Sequence, residues 1–307
     1  MDTRPITPAR LAESVIAVPP LARDSSLEIH PEQNRRIVEY LEAGGITTLL
    51  YGGNAVLYHV RPSEYEQLLH MLTEIVKPDT LVVPSVGPAF GMMMDQAAVL
   101  QDFDFPTVMI LPQRDVCDAP GTATGIRRFA DAFGKPVVLY LKHDQWLPSR
   151  LVEKLYADGL LSWIKYAVVR DDPAEDDYLR EILHVVPSDI VVSGIGEQPA
   201  IVHLRDFEVQ SFTSGCVCIN PALSMEMLRA VQAGEFERAE RLRLQFQPLE
   251  DLRNEISPIR VLHRAVELAG IAETGPMLPL LGELAPEQLT RIANAACALR
   301  EIPTVSG

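Results

Sequence analysis

Two residues of this chain are placed to do covalent chemistry. Lys165 interrupts the apolar run LSWIKYAVV, and Tyr140 ends the apolar run PVVLY twenty-five residues earlier. Burial of a lysine penalises its charged form, lowers its pKa and leaves a neutral amine. Such an amine adds to a ketone to give a Schiff base, and a phenol at the end of a nearby strand moves the protons that this step requires. Each residue also has a reading without chemistry. The lysine amine can snorkel to solvent from a strand end, and the tyrosine can pack its ring and leave its hydroxyl in water. Arg114 carries the same ambiguity. Its guanidinium suits a carboxylate through two parallel bonds, or it is a solvated loop charge. Lys142, His143 and Asp144 form a polar cluster just after PVVLYL, either an acid–base set or an exposed loop.

The elements that must carry these residues alternate regularly. Apolar runs at 14–21, 46–53, 80–87, 106–113, 135–141, 161–169, 188–196 and 208–215 read as strands. Between and after them, 31–45, 62–76, 92–103, 121–134, 148–159, 173–186, 197–207 and 220–234 read as helices, several with proline starts or glycine stops. Continuous apolar strands between amphipathic helices predict a covered parallel sheet. Eight such units predict a (β/α)8 TIM barrel over 1–234, with a C-terminal helical subdomain over 235–307 packed on it. In that architecture chemistry gathers at the carboxyl ends of the strands. Tyr140 ends the fifth strand and Lys165 lies in the sixth, its direction left open by the pattern. Gly53 and Asn54 follow the second strand, Arg114 the fourth, and Gly194 and Glu197 the seventh. All converge on one mouth.

Composition narrows the partners. The 307 residues carry a formal net charge of −15, with 47% apolar and 22% charged residues. That balance suits an ordinary globule and argues against nucleic acid or an anionic membrane as partner. An anionic substrate stays open, because a local pocket can be positive. Cys117, Cys216, Cys218 and Cys297 complete no zinc set and read as free thiols of a reducing compartment. No signal peptide and no apolar run of membrane-spanning length are present, so a cytoplasmic location is expected.

In order and spacing the chain resembles the dihydrodipicolinate synthase / N-acetylneuraminate lyase superfamily of Schiff-base-forming barrels, over roughly residues 11–300. EYLEAGGITTLLYGGNAV matches the family's helix–AG(V/I)–strand–GTTGE segment. VVLY supplies the strand-five tyrosine, WIKYAVV the strand-six lysine, and VVSGIGE the glycine turn after strand seven. SPIRVLHRAVELAG echoes the late P-I-K-x-A-L helix. The resemblance implies Lys165 as the imine-forming amine and Tyr140 as proton shuttle. It implies the amides around Gly53, Asn54 and Ala55 as the carboxylate site, an arrangement suited to anions. Gly194 and Glu197 would lie where the longer part of a substrate is read. It further implies a homo-oligomer, a dimer or tetramer.

The departures are equally specific. GTTGE reads Gly53-Asn54-Ala55-Val56-Leu57, which removes both hydroxyl residues; Asn54 offers an amide in their place. Gln113 or Arg114 stands where a neighbouring subunit's tyrosine is expected, Gln145 near the expected arginine, and Tyr166 follows the lysine. Lysine synthesis and sialic-acid cleavage are thereby disfavoured. The expectation is a class I lyase or hydro-lyase acting on a 2-oxo acid such as pyruvate or a 2-keto-3-deoxy sugar acid, with no metal and no organic cofactor. Two alternatives compete with it. One is a catalytically altered barrel that binds a small acid or serves assembly; the other is a different mechanism with Glu197 or His143 as base.

Overall fold

In the computed structural model, which describes residues 1–304, the alternation closes into a (β/α)8 barrel followed by three helices. The barrel strands are Ile16–Ala17, Thr48–Leu50, Leu81–Val83 continued by Ser85–Val86, Met109–Ile110, Val137–Leu141, Leu161–Tyr166, Val191–Ser193 and Thr213–Ser214. All neighbours pair in parallel. Pro84 has no N–H to donate and divides the third strand, yet its carbonyl accepts from Met109 and keeps the ladder going. A parallel bridge between Ser193 and Phe212 joins the seventh strand to the eighth and closes the cylinder.

The paired strands are shorter than the apolar runs that announce them. The run 14–21 pairs only at Ile16–Ala17 before Pro19-Pro20, and 208–215 only at Thr213–Ser214. Apolar runs report burial on both faces, whereas pairing stops where the chain turns toward the mouth. The run 173–186 is helical only over Asp177–Leu183. There the side chain of Asp176 accepts from the Leu179 amide and fixes the first turn. Cys216–Cys218 forms a 3-10 turn, and all four cysteines are free.

A short helix, Pro8–Ala12, has no counterpart among the expected elements. Its Arg10 guanidinium donates to the carbonyls of Thr47 (2.6 Å) and Asp79 (2.9 Å) and ties down the amino-terminal face of the barrel. The final helices are Phe236–Glu255, Pro258–Leu268 and Pro286–Arg300. The first of them buries Phe246 and Leu249 together with two charged residues, Glu250 and Arg253. Between the last two helices Gly275 adopts φ +66, and a Cβ there would lie 1.9 Å from the Arg23 carbonyl. Only glycine lets this segment approach so closely. No helix among the described residues is long and apolar enough to cross a membrane.

Candidate active site

Alternation along the sixth strand decides where Lys165 points. Tyr166 faces the helix layer, where its hydroxyl donates to Asp176 (2.7 and 2.8 Å) and its ring meets Tyr178 and His203. Successive side chains of a strand take opposite faces, so Lys165 faces the barrel interior, with buried Trp163 beneath it on the same face. Tyr140 is its register partner on the fifth strand. The Lys165 Nζ stands 4.6 Å from the centroid of the Tyr140 ring, within range of a cation–π contact when the amine is charged.

Lys165 is 6% exposed and forms no ion pair among the described residues. Burial, then the charges of Lys142 and Arg253, pull its pKa down to about 7. Burial pushes the Tyr140 phenol up to about 12, against a smaller opposing pull from Arg253. At neutral pH the pair therefore comprises an amine that shares its population between the neutral and charged forms and a protonated phenol.

The turn after the second strand forms the opposite wall. The carbonyls of Gly53 and Gly52 accept from the amides of Val56 and Leu57. Among the described residues the amides of Gly53, Asn54 and Ala55 donate to no protein acceptor. The Asn54 side-chain amide donates to the Val18 carbonyl (3.0 Å), and a Cβ on Gly215 would lie 2.8 Å from its nitrogen. Asn54 thus laces the second strand end to the first and eighth. Tyr58, just beyond the turn, packs beside Gly53, and its ring lies 5.9 Å below the Lys142 amine.

The remaining expected residues are placed differently from one another. The Gly194 amide donates to the Tyr166 carbonyl (2.6 Å), and a Cβ on Gly194 would meet that same oxygen at 2.6 Å. Its glycine is needed for packing beside the lysine strand. Arg114 is exposed on the rim and has no carboxylate partner among the described residues, although its charge acts on Lys142 and His143. Glu197 corrects the expectation that it reads a substrate. It is fully buried, and its two oxygens accept from Ser224 (2.7 Å) and Ser214 (2.8 Å) in the seam between barrel and final helices. That enclosure also removes it as a solvent-facing base.

Sequence reasoning missed Arg253 and Glu250, which occupy this seam. Arg253 donates to the Ile195 carbonyl (2.6 Å) and lies 3.9 Å from Glu250. Glu250 accepts from the Glu197 amide (2.9 Å). Oxygen and sulfur atoms of Glu197, Cys216 and Glu250 lie within 4.8 Å of one another, a set with the spacing of metal ligands. Burial raises the pKa of both carboxyls. Arg253 opposes that rise for both, and the two serine hydroxyls oppose it for Glu197.

No family model matches the chain. Two comparisons with individual proteins do find relatives along nearly its whole length. The 4-hydroxy-tetrahydrodipicolinate synthase of Methanosarcina barkeri is 24% identical over 298 residues, 94% of this chain and 97% of that protein. The crystal structure of dihydrodipicolinate synthase from Oceanobacillus iheyensis superposes with a TM-score of 0.81 at 22% identity, covering 95% of this chain and 97% of the other. The Ruminococcus gnavus sialic acid aldolase gives 0.81 at 13% identity, over 94% and 97%. The fold is therefore that of a TIM barrel with an appended helical tail. Within that class the chain is similar, over most of its length, to proteins of the dihydrodipicolinate synthase / N-acetylneuraminate lyase superfamily, with Gly53-Asn54-Ala55-Val56-Leu57 in place of the usual turn.

Proposed function

We propose that the chain is a class I lyase or hydro-lyase that acts on a 2-oxo acid through an imine on Lys165. The observation that supports this reading is the inward Lys165 amine, without an ion pair among the described residues and with a large neutral population at pH 7, beside a protonated phenol. The amine adds to the ketone carbon. The carbinolamine then loses water, with Tyr140 donating the proton to the departing hydroxyl. The protonated imine draws electrons from the adjacent carbon, which lets a C–C bond form or break, or lets a β-hydroxyl leave as water. The free amides of Gly53, Asn54 and Ala55 suit the substrate carboxylate. No step calls on a metal or an organic cofactor. Assembly into dimers or tetramers belongs to the same proposal.

Hydride reduction in the presence of pyruvate and other 2-oxo acids tests the reading. A covalent adduct that maps to Lys165 and disappears in Lys165→Ala supports it. Absence of any adduct across the panel sinks it in favour of a small-acid-binding or assembly role, which the loss of both hydroxyl residues from the turn would then explain.

A further inference from the structure

The mouth gathers positive charge around Lys142, on which no acid is seen to act. Lys142 follows Tyr140 by two residues, stands over the Tyr58 ring at 5.9 Å, and is exposed to the mouth. Its charge acts on Lys165, and that of Arg114 acts on it in turn. Enough protein crowds the Lys142 amine that burial is the first cause of its lowered pKa, with Arg114 the second. Lys142 forms no ion pair among the described residues. Of the acids around it, Asp115 beside Arg114 acts on His143 and not on Lys142, and the others are already committed. Asp144, in its own loop, pairs with Arg170. Asp176 accepts from Tyr166, Arg170 and the Leu179 amide. Glu197 and Glu250 are enclosed in the seam.

A 2-oxo acid with one carboxylate would occupy the amides at 53–55 and leave Lys142 without a counter-ion. We infer that Lys142 is a specificity-determining residue that receives a second acid group, so that the preferred ligand is a 2-oxo acid bearing two anionic groups. This inference rests on the reading of the mouth as a 2-oxo acid site. Lys142 is better placed than Arg114 for the task, because it stands over Tyr58, which flanks the carboxylate turn, whereas Arg114 lies out on the rim.

Calorimetric titration at neutral pH and low salt tests it, with two pairs of acids matched in length: 2-oxoglutarate against 2-oxopentanoate, and 2-oxoadipate against 2-oxohexanoate. The wild-type protein should favour the dianion of at least one pair about tenfold, the factor expected for one charge-assisted hydrogen bond open to solvent. In Lys142→Met the ratio should fall to about one, and Lys142→Arg should restore it. A wild-type ratio near one overturns the inference, as does a ratio that survives Lys142→Met, or no measurable heat from any of the acids at millimolar concentration. Hydride trapping with the same acids separates this from the parent reading. A Lys142-dependent preference without an adduct on Lys165 defeats the imine and leaves the role of Lys142 standing. An adduct without that preference defeats the role of Lys142 and leaves the imine.

Discussion

Replacement of Lys165 by methionine should stabilise the fold, by an amount that depends on pH. The amine is pulled from 10.5 to about 7 by burial and by its cationic neighbours. Between those values the unfolded chain binds more protons than the folded one. Stability attributable to this residue therefore rises with pH through that window, and below about 7 the penalty is full and constant. The full penalty is about 5 kcal/mol, with about 4 kcal/mol left at pH 7 and about 2 kcal/mol at pH 9. Methionine nearly matches the lysine in length and fills the same space without an amine. Urea unfolding of both proteins at pH 7 and pH 9 reads the effect. The advantage of Lys165→Met should shrink by about 2 kcal/mol between the two conditions. Comparing the two proteins at each pH cancels the other titrating groups. An advantage that does not change with pH, or a wild type more stable than the variant at pH 7, refutes the claim that the folded barrel holds a desolvated amine.

Three further outcomes follow from the same geometry. Tyr140→Phe should slow hydride trapping of pyruvate on Lys165 about 100-fold or more, the range for a positioned acid–base group; a change under threefold removes Tyr140 from the chemistry. The rate of trapping by the wild-type protein should rise as pH passes about 7, where Lys165 loses its proton, with no second inflection from the Tyr140 phenol below pH 10, since that phenol is held at about 12. Asp176→Ala should destabilise the fold by about 2–4 kcal/mol in urea unfolding, because it leaves the buried Tyr166 hydroxyl without its acceptor, leaves Arg170 with Asp144 alone, and strips the cap from Asp177–Leu183; a loss below about 1 kcal/mol would show that the network is solvated.

The sequence made the barrel legible through its alternation and made Lys165 and Tyr140 legible through their chemistry, since a lysine or tyrosine within an apolar strand is conspicuous. The direction of Lys165 was not legible. It depends on Tyr166 finding Asp176 in the helix layer, a contact between separate elements that no local pattern encodes. Strand lengths were over-read because a run buried on both faces continues past its last ladder bond. Arg253 and Glu250 were hidden in EFERAERLRLQFQPLEDLRNE, which reads as a charged outer helix. A signal did exist there: Phe246, Glu250 and Arg253 recur at spacings of four and three, the stripe that faces a core. Tyr58 carries no local signal, because only the fold brings its ring beside Gly53 and under Lys142. Glu197 was expected to face a ligand because of its place after the seventh strand, and two serines from the eighth strand and the following helix enclose it instead.

An acidic protein with a cationic mouth raises the question of how one amine is both kept neutral and made productive. The field of Lys142 and Arg253 works against protonation of Lys165 in the empty site, and so favours the nucleophile. In the reaction proposed above, a carboxylate arriving at the amides of 53–55 would reverse that field. By itself this would favour protonation of the free amine and quench it. In the proposed imine, however, the same carboxylate would lie beside a positive nitrogen and stabilise it relative to the neutral reactants. The anion thus acts more strongly on the intermediate than on the starting amine, the condition under which binding accelerates a reaction rather than merely tightening a complex. Asp176, Glu197 and Glu250 do not oppose this sequence, because each is committed to hydroxyls, a guanidinium or backbone amides before any substrate enters, and Asp115 acts on His143 rather than on Lys165.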